Sequence, residues 1–202
     1  MAKVKLTKTE LKAQTDALKR FQRFLPMLQL KKQQLQSEIA GIVAKAEAVG
    51  DKERSVREGL DRWVGLFATD EAELEGLVKV RKINTWTANI AGVAIPTFGS
   101  IDTDVREIDA WATPAWIDDA VQAATQLLSL QCERAIYDEQ RRLVTAELQQ
   151  TSQRVNLFEK VKIPQCKEAI RVIKIALGDE QTAAVTRGKI AKSRVPESEV
   201  AA

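Results

Sequence analysis

The residue types that carry most protein chemistry are scarce in this chain. Its 202 residues contain no histidine, which removes the Ser-His-Asp triad, the Cys-His pair and imidazole metal ligation together. The two cysteines, Cys132 and Cys166, stand 34 positions apart in what reads as one helix, so at about 1.5 Å of rise per residue they lie roughly 50 Å apart and cannot bridge within it. Two isolated thiols make neither a disulfide framework nor a zinc knuckle, and the expectation is a small buried hydrophobe at each position in a reducing compartment. Carboxylates adjoin at Asp118-Asp119 and Asp179-Glu180, but neighbours on a helix diverge by about 100°, which makes no shared acid-base site. Asp118-Asp119 reads instead as first-turn charge favoured by the helix dipole. Gly188-Lys189, within Thr186-Arg187-Gly188-Lys189-Ile190, lacks both the upstream glycine and the hydroxyl residue of a phosphate-binding loop. No catalytic residue, metal site or cofactor is expected, and the chain reads as non-enzymatic.

The elements that would position any functional residue are helices. The chain is 45% apolar, 29% charged and 5% aromatic, with nine glycines and five prolines, a composition that builds helices and seldom interrupts them. Residues 7–67 hold no proline but Pro26, and apolar residues recur at heptad spacing, with Leu11, Leu18, Leu25 and Ile39 in one row and Phe21, Leu28, Leu35 and Ile42 in the other. That is a coiled-coil seam, interrupted by Lys32 where leucine would be expected. Thr7 followed by Glu10 can form a reciprocal capping box that starts the helix. Gly41, Gly50, Gly59 and Gly65 weaken its second half by up to about 1 kcal/mol each. A second helix begins at Thr113-Pro114, an N-cap with proline at the first helical position. Its seam reads Val144, Leu148, Thr151, Val155, Phe158, then resumes in shifted phase as Ile163, Cys166, Ile170, Ile173, Leu177. The slip lies beside Pro164, where a kink with a local change of supercoil is expected.

Each seam needs a partner, and the nearest is the other. Helices of about 60 and 75 residues would span roughly 90 and 110 Å, and an antiparallel pair, with position numbers adding to about 185–195 by our count from the helix ends, makes a rod. That register sets Pro26 near Pro164, with both helices bending at one level. Between the helices, Leu77–Ile83 and Ile90–Ile95 read as short strands around the polar stretch Asn84–Asn89. Trp63, Trp86, Trp111 and Trp116 fall in or beside this region and suggest a small core capping the open end of the helical hairpin. The fold expected is mainly α: residues 1–67 an N-terminal coiled-coil helix, 68–112 a small middle region with a short β-hairpin, 113–192 a C-terminal coiled-coil helix and 193–202 a frayed tail.

Charge is distributed by sign. Residues 1–32 carry nine Lys/Arg against Glu10 and Asp16, residues 160–192 eight against Glu168, Asp179 and Glu180, and residues 68–120 four against ten acidic side chains. The antiparallel pairing gathers both basic ends at one tip, suited to an acidic partner. Pairs such as Glu53 with Arg57, Glu58 with Arg62 and Asp138 with Arg142 read as a solvated outer face. Nucleic acid is disfavoured by the lack of aromatic interleaving and of any helix-turn-helix, RRM or zinc signature. The N-terminus lacks an apolar signal core and no run approaches the length of a membrane span, so a cytoplasmic protein without membrane insertion is expected. On these grounds alone, a free-standing coiled-coil adaptor or scaffold is an alternative, and a basic rod on nucleic acid a third reading.

Particular words on the helices narrow the choice. Arg154-Val155-Asn156-Leu157-Phe158-Glu159-Lys160-Val161-Lys162-Ile163-Pro164 resembles the RVNxxExxxIP signature of the D subunits of V-type and A-type ATPases. Leu6-Thr7-Lys8, Leu25-Pro26 with Leu30-Lys31-Lys32, Asn89–Pro96 and Thr113-Pro114-Ala115-Trp116 resemble the bacterial branch of that family, over nearly the whole chain. Where archaeal and eukaryotic members often carry an FxRLKxxQ pattern, this chain has Thr186-Arg187-Gly188-Lys189-Ile190-Ala191-Lys192. The resemblance implies a central rotor stalk, one copy per complex, its terminal helices along the axis of a hexamer of A and B subunits. The F subunit would bind its side and the C subunit, called d in eukaryotes, its lower end. It further implies a place on the cytoplasmic side, peripheral to the membrane. Lys5, Lys8, Lys12, Arg187, Lys189 and Lys192 are the residues expected at the tip inside the head. Leu11, Leu18, Leu25, Leu28, Leu35, Val155, Phe158, Ile170, Ile173 and Leu177 are those expected along the seam, and Arg154, Val155, Asn156, Glu159, Ile163 and Pro164 carry the family motif.

Overall fold

The computed structural model describes residues 5–61, 76–106 and 116–194. Trp63, Trp111, Arg62, Gly65, the Thr113-Pro114 cap, the boundaries at 67/68 and 112/113, and the tail from residue 195 lie outside the described residues, as do most acidic side chains of the middle region. Helix α1 runs Lys8–Asp61, strands β1 and β2 span Val78–Ile90 and Val93–Val105, helix α2 runs Trp116–Leu157, a π-turn covers Phe158–Lys162, and helix α3 runs Ile163–Arg194. The fold is mainly α, with an N-terminal helix, a C-terminal helical stretch and a two-stranded antiparallel hairpin between them in sequence. It divides into two compact units, Lys31–Gln150 and Met1–Leu30 with Thr151–Ala202.

At the start of α1, Thr7 Oγ1 accepts the Glu10 amide at 3.3 Å. Only this half of the capping box forms, because the Glu10 carboxylate instead accepts the Gln14 side-chain amide at 2.8 Å. Gly41, Gly50 and Gly59 all lie within α1, as does Pro26. Helix survives its weak formers because a packed seam outweighs per-residue propensity.

In the unit Lys31–Gln150, α1 and α2 run antiparallel, tied by Lys31 to Glu147 at 2.7 Å and by Arg134 to Glu53 at 3.4 Å. Leu35, Ile42 and Val144 form its buried core with Ile95 of β2, and Ile39, Ile90, Val93, Tyr137 and Leu148 pack around them. The turn end of the hairpin thus packs on the helix pair through Ile90, Ala91, Val93 and Ile95. Its other end meets the pair where Leu77 and Val78 line a recess with Leu60, Val121 and Leu128. The hairpin runs along the flank of this helix pair with Trp86 59% exposed, and the expected aromatic cap rests in part on Trp63 and Trp111, outside the described residues.

The turn also differs from the sequence reading. Asn84–Asn89 lies inside β1, and the chain reverses at Ala91-Gly92, so each strand has 13 residues. Both turn residues have positive φ, 50° and 86°, the requirement of a two-residue hairpin whose twist matches its strands. Asn89 Oδ1 accepts the Gly92 amide at 2.9 Å and closes it. Gly99 sits at a register shift, where a Cβ would come within 2.8 Å of the Asn84 carbonyl and 2.9 Å of the Trp86 ring.

In the other unit, Phe21 and Phe158 meet with ring centroids 4.9 Å apart. Their numbers add to 179, below the expected 185–195; in the first unit Lys31–Glu147 adds to 178 and Glu53–Arg134 to 187, the latter inside the expected range. Pro26 then faces the neighbourhood of Gln153, about three turns from Pro164, and the expected common bend is not formed. The difference arises because the helix ends are not level. Continued from Phe21–Phe158, the register puts the start of α1 opposite residue 172 or so, and α3 runs on to Arg194, about 33 Å further.

Candidate functional site

The seam residues are all turned inward. Leu35 and Ile173 are fully buried and Val155 nearly so, while Leu11, Leu18, Leu25, Leu28, Phe158, Ile170 and Leu177 are half-buried. Extending the row of Leu11, Leu18, Leu25 past Lys32 and Ile39 by sevens reaches Ala46 and then Glu53. Lys32 is half-buried, and Glu53 is 8% exposed.

Glu53 is not the surface partner of Arg57 that the charge pattern suggests. Its Oε1 accepts Arg57 at 2.8 Å and Gln131 at 3.4 Å, and its Oε2 accepts Arg134 at 3.4 Å. The Arg57 hydrogen bond holds the carboxyl below its ordinary range against the opposing push of burial, with Gln131 and Arg134 adding to it. A seam carboxylate with partners across the interface favours one register, since a slipped pairing would take away Gln131 and Arg134 and leave it buried with Arg57 alone. Carrying the heptad count two positions beyond Ile39 would have revealed it. Asp138, read as paired with Arg142, instead holds Arg141, while Arg142 makes a two-pronged contact with Glu139.

Gln140, also buried, donates to the Pro96 carbonyl at 2.5 Å and fastens the hairpin to α2. Nothing in the sequence signalled this bond, because it links residues 44 positions apart. Beside Glu53 a groove of about 450 Å³ is rimmed by Arg54, Arg57, Arg134 and Arg141. Each of these arginines already faces Asp51, Glu53 or Asp138, so the groove offers no uncommitted cation to an anionic ligand.

The motif splits between two faces: Val155 is buried and Ile163 half-buried, whereas Arg154, Asn156, Glu159 and Pro164 are exposed. Lys5, Lys8 and Lys12 are exposed at the start of α1, and Arg187, Lys189 and Lys192 on the last turns of α3, where every residue from Gly178 to Arg194 is exposed. By the register above, the structure sets these two groups of three at different levels, the second roughly 20–30 Å beyond the first. None of the six is ion-paired among the described residues. Cys132 is half-buried and Cys166 buried, and both are free thiols.

Among the described residues no helix is long and apolar enough to cross a membrane, and no cluster of three or more His, Cys, Asp or Glu could hold a metal ion. The geometry defines a coiled-coil protein whose accessible features are helix and hairpin surface rather than a pocket of reacting groups. The chain belongs to the family of ATP synthase D subunits, which it matches over residues 10–193. It is 45% identical over 193 residues to the D subunit of the V-type ATP synthase of Borreliella burgdorferi, covering 96% of this chain and 95% of that one. It is 30% identical to that of Chlamydia felis, over 96% of this chain and 94% of the relative, and 30% identical to that of Chlamydia muridarum, over 96% and 97%. The resemblance to bacterial members in the helix motifs therefore extends along the chain.

Proposed function

We infer that this chain is the central rotor stalk of a V/A-type ATPase, a non-catalytic subunit that couples ATP hydrolysis or synthesis in an A/B head to ion translocation in a membrane sector. The observation that carries the reading is family membership over nearly the full chain. The buried, register-specific helix pair supports it, because two helices sharing one seam resist bending and twisting better than either alone. Successive closure of nucleotide sites in the head presses on an asymmetric shaft, and the exchange between site state and shaft orientation runs in both directions.

In this reading one copy lies on the axis of the A/B hexamer, the F subunit binds its side, and the C (d) subunit seats its base at the cytoplasmic face of the membrane, with no insertion into the bilayer. Lys5, Lys8 and Lys12 and, further along α3, Arg187, Lys189 and Lys192 face the head. Polar, exchangeable contacts suit a shaft that must leave each orientation as readily as it enters it. The test is native mass spectrometry of the chain mixed with A and B subunits and nucleotide. One copy per hexamer is expected; no complex, with or without the F subunit, would return the chain to the adaptor class.

A further inference from the structure

The phase slip in the C-terminal seam has a structural counterpart. Before it, the inward positions are Val144, Leu148, Thr151, Val155 and Phe158, and unbroken spacing would continue through Lys162, Gln165, Ala169, Val172 and Ala176, of which Lys162, Gln165 and Val172 are exposed and only the two small alanines are turned in. The large inward side chains are instead Ile163, Cys166, Ile170, Ile173 and Leu177, each one residue late. The turn between the two series is the π-turn Phe158–Lys162, in which the Ile163 amide bonds the Phe158 carbonyl. A bond to the fifth residue back rather than the fourth accommodates one extra residue, which is the size of the slip. Flanking Leu157 and Ile163 keep ordinary helical dihedrals, φ −62° and −64°, so the insertion is absorbed within the turn.

Pro164 is the competing cause. It has no amide hydrogen and its ring crowds the carbonyl four residues back, but a proline alone does not require the seam beyond it to be displaced by one residue. Pro26, within α1, shows that this chain also accommodates a proline inside an α-helix.

We propose that the π-turn is a one-residue phase reserve imposed by the seam, and that it makes residues 158–162 the turn of the C-terminal helix that yields first to rotation about the helix axis. Sharp deformation of long helices concentrates at π-turns, where the regular hydrogen-bond ladder is interrupted, so twist is taken up there while the seams on either side stay packed. The inference concerns the chain itself and stands whether or not it carries torque.

Removing the reserve should repair the helix. Deletion of the exposed Val161 brings Ile163, Cys166, Ile170, Ile173 and Leu177 into continuous heptad phase with Val155 and Phe158. Hydrogen exchange of the full chain should then show amide protection across residues 158–164 rising at least tenfold, with Tm no lower than that of the parent. Deletion of the exposed Arg23 from α1, where no residue is in reserve, throws Leu11, Leu18 and Phe21 out of phase and should lower Tm. Pro164→Ala should leave the exchange pattern within about twofold of the parent. If deleting Val161 lowers Tm as deleting Arg23 does, or if Pro164→Ala alone raises protection to the level of the deletion, the proposal is overturned.

Discussion

The same heptad alternation runs through both units of the molecule, yet it buries the α1 side of the seam in only one of them. In Lys31–Gln150 the seam residues Leu35 and Val144 are fully buried and Ile42 nearly so, because the hairpin lays Ile95 over the helix pair. In the other unit Thr151, Val155, Cys166 and Ile173 are buried on the C-terminal side, but Leu11, Leu18, Phe21, Leu25 and Leu28 of α1 are only half-buried, and α3 has no buried residue after Ile173. Two helices bury one stripe each and leave its edges wet; a third layer is what removes the remaining water. The hairpin-backed unit therefore buries both sides of its seam, and the other leaves the α1 side partly wet. The sharpest way to break this comparison is Leu35→Ala, expected to cost about 2–5 kcal/mol as a fully buried leucine in a tight core. Leu18→Ala, at a half-buried position, should cost less than half as much. Urea unfolding of the two variants measures the difference, and equal losses would show that the hairpin adds no closure.

A second test removes the fastening rather than the packing. Gln140→Ala leaves the Pro96 carbonyl without its buried donor, which should cost about 1–3 kcal/mol. Hydrogen exchange should rise in β2 and in the Leu35–Ile42 stretch of α1 while the Cys166–Ile173 stretch of α3 stays as protected as before. Loss of protection in all three would mean that the hairpin supports more than its own unit.

What was legible in the sequence follows the range of the forces involved. Heptad rows, the Thr7 cap and the one-residue slip are local patterns, and the helices stand where those patterns are. The hairpin turn was missed because Ala91-Gly92 lacks the Asn-Gly or Asp-Gly signal, and because polar Asn84–Asn89 looked like a loop although the strand carries those side chains largely at its exposed positions. The register near Phe21 was missed because helix ends do not report their relative level; it shows in Phe21 with Phe158 and Lys31 with Glu147, contacts between distant parts of the chain. Gln140 was invisible for the same reason.

Glu53 makes the comparison sensitive to pH. Its folded-state pKa is held below the ordinary value of 4.5, so the stabilisation it gives is fully present above that value and is lost as pH falls through the lower folded value. Tm should drop on acidification from about pH 5 to pH 3, and Glu53→Gln should flatten that decline. Glu139 and Glu168 are lowered the same way by hydrogen bonds from Arg142 and Arg171, so part of the acid limb will remain. An acid limb as steep in Glu53→Gln as in the parent would place the sensitivity in those surface pairs instead.

The smallest effect on folding should accompany the largest change of surface charge. Replacing Lys5, Lys8, Lys12, Arg187, Lys189 and Lys192 together by glutamine alters only exposed side chains without ion-pair partners among the described residues, so each should shift stability by no more than about 0.5 kcal/mol. In an ATPase reconstituted with the variant, ATP-driven ion pumping should fall relative to ATP hydrolysis, because the contacts by which the head would grip the shaft are weakened while the shaft itself is intact. The two groups of three can be replaced separately, and their levels along the helices make that division informative. If only Arg187, Lys189 and Lys192 matter, torque enters through the single-helix extension of α3. If only Lys5, Lys8 and Lys12 matter, it enters where α1 and α3 are still paired, and the extension serves to centre the shaft. Unchanged pumping with all six replaced would remove them from the coupling surface and leave the apolar side chains exposed on the same turns, Val185 and Ile190, as the residues to change next.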